Sequence, residues 1–341
     1  LVDLSITQRN LRGRGQLMSF VIRASSNRRE VDLRFTEPRF LGRNLAASVN
    51  IFDVVIDLVD EAGFRQQRTG GQLSLAFPLT ENTRFSGRYT IRKEDIEFAS
   101  QDQCATIEDQ PTTAATISTL SLCDQLGGRL SSILGYSFTW DRRNDPITPT
   151  GGFDMQLSQD IAGIGGDVKY LRTDARANYY KGLYKDVIAS ATLAGGYIRG
   201  WGDDTVAVND RYFKGNFEFR GFDNAGVGPR VLTVLHNGEG VEPTVFRGNA
   251  LGGNAFALAS TEVSFPLGVA SLLGSTWIEA GTVGLLDEQD QYNIVTSNSV
   301  LHPEGSSCEG VTTAGVTCVR TEDGLDPRVI AGVSVFWESP F

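Results

Sequence analysis

The chain has 341 residues, a formal net charge of −10, 40% hydrophobic and 21% charged content, and 38 glycines. Its Phe, Val, Leu and Ile exclude a disordered chain, and no run of 18 or more apolar residues exists to make a membrane-spanning helix. The acidic balance argues against a nucleic-acid module, which would carry a basic stripe.

Period-2 alternation recurs along the chain, and sustained 3.6-residue patterns do not. The first runs place Val2, Leu4 and Ile6 against Asp3, Ser5 and Thr7, then Met18, Phe20 and Ile22, then Val31, Leu33 and Phe35 against Asp32, Arg34 and Thr36. A fourth run covers residues 45–56, and a fifth sets Leu73, Leu75 and Phe77 against Gln72, Ser74 and Ala76. In the sixth, Phe85, Tyr89 and Ile91 oppose Arg84, Arg88 and Arg92. Then follow Leu134, Tyr136, Phe138 and Trp140; Phe153, Met155 and Leu157; and Leu171, Ala175, Ala177 and Tyr179 against Arg172, Asp174 and Arg176. Runs at 187–197, 255–265 and 271–283 precede the last, with Val329, Ala331, Val333, Val335 and Trp337 on one face. The pattern predicts thirteen strands.

Connections after odd-numbered runs are short, and those after even-numbered runs include three of about 30, 50 and 40 residues. Up-and-down strands with short turns at one end and long loops at the other predict an all-β, antiparallel transmembrane barrel. Thirteen or more strands enclose a lumen too wide for side chains to fill. The expected chemistry is therefore inverted, with apolar residues toward lipid and polar ones toward a wet lumen. A propeller would need a period near 40 residues, which is absent.

Cys104, Cys123, Cys308 and Cys318 fall as two local pairs inside the long loops, none at metal spacing. They read as two loop disulfides, Cys104–Cys123 and Cys308–Cys318, on the oxidising side of the membrane, with four free thiols as the competing reading. His236 and His302 both fall in loops, too little for a metal site or a catalytic triad. No cofactor, metal or catalytic residue is expected. The chain starts at Leu1 and stops at Phe341 directly after an alternating run, and reads as a piece of something longer.

The loop after the tenth run contains RYFKGNFEFRGF, residues 211–222, followed by DNAGVGPR. Tyr212, Phe213, Phe217, Phe219 and Phe222 are too aromatic for a loop in water, and Gly215, Gly221, Gly226 and Gly228 allow tight turns. Such a loop is expected to fold back into the lumen. Arg220 would then need a carboxylate, and Glu262 and Glu279 interrupt otherwise apolar or small strand residues. The competing reading leaves both Glu unpaired and facing lumen water.

The FRGF stretch, Phe219 to Phe222, resembles the signature of the BamA-type outer-membrane assembly factors, whose position before the Arg is usually aliphatic. Other stretches agree in order: SITQRNLRGRGQ from Ser5, FTEPRFLGRN from Phe35, DRRNDPITPTGG from Asp141, GGNAFALASTEVSFPL from Gly252 and TWIEAGTV with Glu279. The detail looks most like the alphaproteobacterial form. The resemblance implies a bacterial outer-membrane location and insertion of β-barrel clients without covalent chemistry. It implies that Arg220 anchors the loop through Glu262 and Glu279, that Gly221 allows close backbone approach, and that Phe222 packs beneath the loop. It also implies unfolded outer-membrane protein clients, outer-membrane lipids and lipoprotein subunits as partners. The family barrel has sixteen strands, so residues 1–341 are expected to form a single partial barrel domain. The first strand, the last two strands and the periplasmic POTRA repeats would be missing. Competing readings are a two-partner-type secretion pore or translocation-assembly relative of the same superfamily, a diffusion porin, and an outer-membrane hydrolase.

Overall fold

A computed structural model describes residues 2–98, 127–216, 218–268, 272–288, 291, 293–297, 300–301 and 316–337. The first half of the chain folds into β1 (Val2–Leu11), β2 (Gln16–Ala24), β3 (Arg28–Glu37), β4 (Ala46–Leu58), β5 (Phe64–Thr80), β6 (Thr83–Phe98) and β7 (Gly127–Asp141). It continues through β8 (Gly151–Gly166), β9 (Tyr170–Tyr184), β10 (Val187–Gly200), β11 (Arg230–Leu235), β12 (Thr244–Ala250), β13 (Ala255–Pro266) and β14 (Leu272–Gly284). The last strands are β15 (Asn293–Ser297), β16 (Val300–Leu301), β17 (Val316–Glu322) and β18 (Arg328–Trp337).

Thirteen of these strands form one antiparallel sheet in the order β1 through β10, β13, β14, β18. They coincide with the thirteen runs of alternating sequence. β5 is 17 residues long, more than the roughly 9–11 residues that a tilted strand needs to cross a bilayer. Among the described residues β1 pairs only with β2, and β18 only with β14.

Alternation sets the chemistry of the two faces. Leu73 is 57% exposed and Leu193 62%. Tyr89, Phe138, Leu157, Tyr179 and Val333 share this outward exposure. The intervening face carries ion pairs such as Arg88–Asp160 at 2.6 Å and Arg172–Asp174 at 3.0 Å. Large apolar side chains left outside, with charges paired inside, are the inverted arrangement of a membrane barrel.

The buried apolar residues lie where a loop packs on the inner wall. Between β10 and β13, the described residues from Val206 to Val227 fold inward. Val206, Tyr212, Phe219 and Val227 of this loop cluster with Ile133, Tyr170, Ile198 and Val283 of the strands. Val208 and Ala225 join Leu58, Phe64 and Ile96 in a second cluster, against which Phe213 packs.

The long loops also hold structure that alternation did not reveal. β11 and β12 pair with β17, β15 and β16 in a separate five-stranded sheet. These strands have 2–7 residues, and β11 buries Val231 and Leu232 in succession. A short run buried on both faces shows no period-2 signal.

Candidate functional site

The tip of the inward loop is a tight turn. The Asn216 N–H donates to the Phe222 carbonyl at 2.8 Å and the Glu218 N–H to the Gly215 carbonyl at 3.2 Å. Gly221 has φ +78°, and a methyl group there would collide with Ile330 Cδ1 of β18. Glycine permits both the left-handed backbone and the close approach. Phe219 is 1% exposed, and its ring lies 4.7 Å from that of Phe222. A Cβ at Gly281 of β14 would stand 3.2 Å from Phe219 Cε1. That glycine makes room for a ring where an aliphatic side chain would be smaller.

The turn aims Arg220 at the inner face of β13 and β14. Its Nε donates to Glu279 Oε1 at 2.6 Å, and its backbone N–H donates to Oε2 of the same carboxylate at 2.9 Å. Nη1 donates to Glu262 Oε2 at 3.1 Å. The Ser260 hydroxyl donates to Glu279 Oε1 at 3.2 Å. The guanidinium carbon lies 4.0 Å from the centroid of the Trp277 ring. Ser260 faces Glu279 and Trp277 faces Glu262 across the β13–β14 ladder, so all four line one patch of wall. Planarity, several donors and a stackable face suit Arg to this patch, and Lys offers none of the three together.

The Arg220 side chain is 27% exposed, Glu262 24% and Glu279 only 7%. The cluster borders a cavity of about 640 Å³ that Arg176, Lys214 and Asp174 also line. One guanidinium between two carboxylates leaves an excess negative charge at this wall, and Lys214 is itself paired with Glu218 at 2.8 Å.

Two further contacts, which sequence reasoning missed, hold the entry of the loop. The Tyr212 hydroxyl donates to Asp174 Oδ1 at 2.8 Å, and the Arg172 guanidinium sits 4.3 Å from the Tyr212 ring centroid. Upstream, a 3₁₀ turn over Val208–Asp210 packs on the inner wall of β5, β6 and β9. There Arg92 pairs with Glu94 at 2.7 Å and with Asp210 at 3.2 Å. Arg68 pairs with Glu94 at 3.1 Å and donates to the Asn209 carbonyl at 2.6 Å. Asn209 Nδ2 donates to Glu94 Oε2 at 3.2 Å. Asp210 is 2% exposed and Glu94 1%. Burial first, then the neighbouring Glu94, raises the Asp210 carboxyl to about 6, against the pull of Arg92, Arg68 and Arg172. Strand parity placed Arg92 on the inner face, but nothing local could announce a partner more than a hundred residues away.

Cys318 is buried on β17 and disulfide-bonded. Cys104, Cys123 and Cys308 lie outside the described residues, and so do both expected pairings. His236 donates its backbone N–H to the Val316 carbonyl, and His302 and Phe217 lie outside the described residues. Among the described residues no cluster of His, Cys, Asp and Glu could hold a metal ion.

An inverted antiparallel sheet with a long loop folded against its inner wall and fixed there by an RGF arginine defines a transmembrane barrel of the in-folded-loop class. The Omp85 superfamily domain matches residues 10–341, and the chain belongs to that superfamily. It is a β-barrel protein of the bacterial outer membrane. It is 24% identical over 343 aligned residues to the outer membrane protein assembly factor BamA of Neorickettsia risticii, covering 99% of this chain and 39% of that protein. It is 26% identical over 223 residues to the sorting and assembly machinery component 50 homolog of Bos taurus, covering 65% of this chain and 44% of that protein. The chain thus spans less than half the length of these relatives. The crystal structure of Haemophilus ducreyi BamA lacking POTRA domains 1–3 superposes with a TM-score of 0.67 at 19% identity, over 99% of this chain and 61% of that one, and shares the fold.

Proposed function

We propose that this chain is barrel from a factor that assembles and inserts β-barrel proteins into the bacterial outer membrane. The observation that carries this reading is the RGF loop docked on the β13–β14 wall through Arg220, Glu279 and Glu262, in a chain whose superfamily relatives include named assembly factors. The mechanism is non-covalent. An exposed strand edge presents unpaired N–H and C=O groups, and an unfolded client strand pairs with them. A short apolar belt thins the bilayer beside that edge. Arg220 is an anchoring residue in this scheme: it holds the loop so that the wall keeps its shape while a seam elsewhere opens. Unfolded client proteins, outer-membrane lipids and lipoprotein subunits are the proposed partners.

A diffusion porin would need free charge at an open constriction. Here Arg88 and Arg172 are each neutralised by an Asp, and the loop occupies the inner face. The test is client folding. The full-length parent protein in liposomes is expected to speed folding of an unfolded outer-membrane protein well above empty liposomes. A rate equal to that of empty liposomes would overturn the reading.

A further inference from the structure

The short turns β1–β2 and β3–β4, residues 12–15 and 38–45, hold Arg12, Arg14, Arg39 and Arg43 and no carboxylate, in a chain of net charge −10. The two turns touch: a Cβ at Gly15 would stand 3.9 Å from Pro38 Cγ, and Gln16 Nε2 donates to Glu37 Oε2 at 2.7 Å. Glu37, just before the second turn, already accepts that bond and the Arg39 backbone N–H at 3.1 Å. All four arginines are exposed. None of the other short turns is purely basic. Glu81 stands alone in β5–β6, Asp145 accompanies Arg142 and Arg143 in β7–β8, and Lys185 is followed by Asp186 in β9–β10.

Between the arginines the chain exposes apolar surface. Leu41 is 78% exposed and Phe40 38%. Leu41 also has φ +55° and Arg12 φ +56°, left-handed conformations that cost a side-chain-bearing residue about 1 kcal/mol or more. A leucine both strained and in water gains nothing from the chain itself, and strain that persists points to a use. Exposed apolar side chains flanked by arginines at the rim of a lipid-facing sheet have the composition of a membrane-interface anchor. The apolar tips enter the headgroup boundary and the guanidiniums meet phosphates.

We infer that this corner, Arg12, Arg14, Arg39 and Arg43 around Phe40 and Leu41, binds the headgroups of anionic phospholipids on the short-turn side of the membrane. The inference rests on the barrel reading. The β13–β14 turn differs from this corner: residues 267–268 carry no basic group.

The test is native mass spectrometry of the full-length protein released from nanodiscs of equal phosphatidylethanolamine and phosphatidylglycerol. Wild type is expected to retain phosphatidylglycerol preferentially, less so as salt rises. The quadruple Arg12→Gln, Arg14→Gln, Arg39→Gln, Arg43→Gln variant is expected to lose at least tenfold of that retention, since each arginine near a charged surface contributes roughly fivefold. Leu41→Ser is expected to weaken it without changing the preference. Equal retention by wild type and the quadruple variant overturns the inference. So does a quadruple variant that keeps the lipid but loses a co-purifying acidic protein, which would make the corner a protein-docking surface. Failure of wild type to enter nanodiscs of any lipid would instead count against the barrel reading itself.

Discussion

Arg220 and Glu279 meet twice: the guanidinium Nε reaches one carboxylate oxygen at 2.6 Å while the Arg220 backbone N–H reaches the other at 2.9 Å. The carboxylate therefore fixes both the side chain and the turn that carries it. Arg220→Lys keeps the charge but cannot span Glu279, Glu262 and the Trp277 face together. It is expected to loosen the loop by about 1–3 kcal/mol, between the ranges for exposed and for fully buried charge pairs. Limited proteolysis of the loop in folded protein would register this as faster cleavage, whereas cleavage at the wild-type rate would show that charge alone suffices.

Gly221→Ala places a methyl group against Ile330 at a left-handed backbone position. It is expected to cost about 1–3 kcal/mol of loop docking. Ile330→Val beside it should return the steric part and leave the backbone part, so protease resistance of the double variant should fall between wild type and the single variant.

Asp210 makes docking pH-dependent. Its carboxyl is raised to about 6 in the docked loop, against about 3.9 in an undocked chain. The docked state therefore holds the proton more tightly, and docking gains as pH falls through about 6 and levels off near the ordinary aspartate value. Hydrogen exchange of the Val208–Asp210 segment should slow, after correction for intrinsic rates, between pH 7 and pH 5. Asp210→Asn should flatten that dependence. Faster corrected exchange at pH 5 in wild type would contradict the assignment.

The inverted faces predict an asymmetry between neighbours on β8. Leu157 is exposed on the outer face, while Ser158 lies opposite Asp174 and Ser137 on the inner one. Leu157→Arg is expected to cost about 2–4 kcal/mol in bilayer-embedded protein, and Ser158→Arg, beside Asp174, less than about 1 kcal/mol. Urea unfolding in liposomes reads both, and the reverse order would invert the sheet.

The loop cysteines are expected to pair as Cys104–Cys123 and Cys308–Cys318. Peptide mapping without reductant should find each pair linked within its own loop. A cross-loop peptide would refute the pairing.

Much of this molecule was legible in the sequence because strands that face lipid on one side and water on the other must alternate. Leu73, Leu75 and Phe77 against Gln72, Ser74 and Ala76 could be read as a strand without any knowledge of neighbours. Arg220, Glu262 and Glu279 could be named because each is out of place locally: an arginine in an aromatic knot, and two acids in small or apolar strands. Their mutual geometry was not legible, nor was the partial exposure that lets water reach Arg220. The Asp210–Arg92–Glu94 cluster was missed for the opposite reason. Charged residues on the polar face of a strand look ordinary, and only the return of residues 208–210 to that wall gives them a partner. The extra sheet of β11, β12, β15, β16 and β17 was missed because its strands are short and β11 buries two residues in succession.

The most direct test of the anchoring account is a charge exchange in the full-length parent protein, with client folding in proteoliposomes as the readout. Arg220→Glu and Glu279→Arg singly are expected to slow client folding by about tenfold or more, the scale of breaking a hydrogen-bonded charge pair. Combined, they should recover a substantial part of the rate, since the pair is restored in reverse. Wild-type rates in Arg220→Glu and Arg220→Ala would contradict an anchoring role for Arg220.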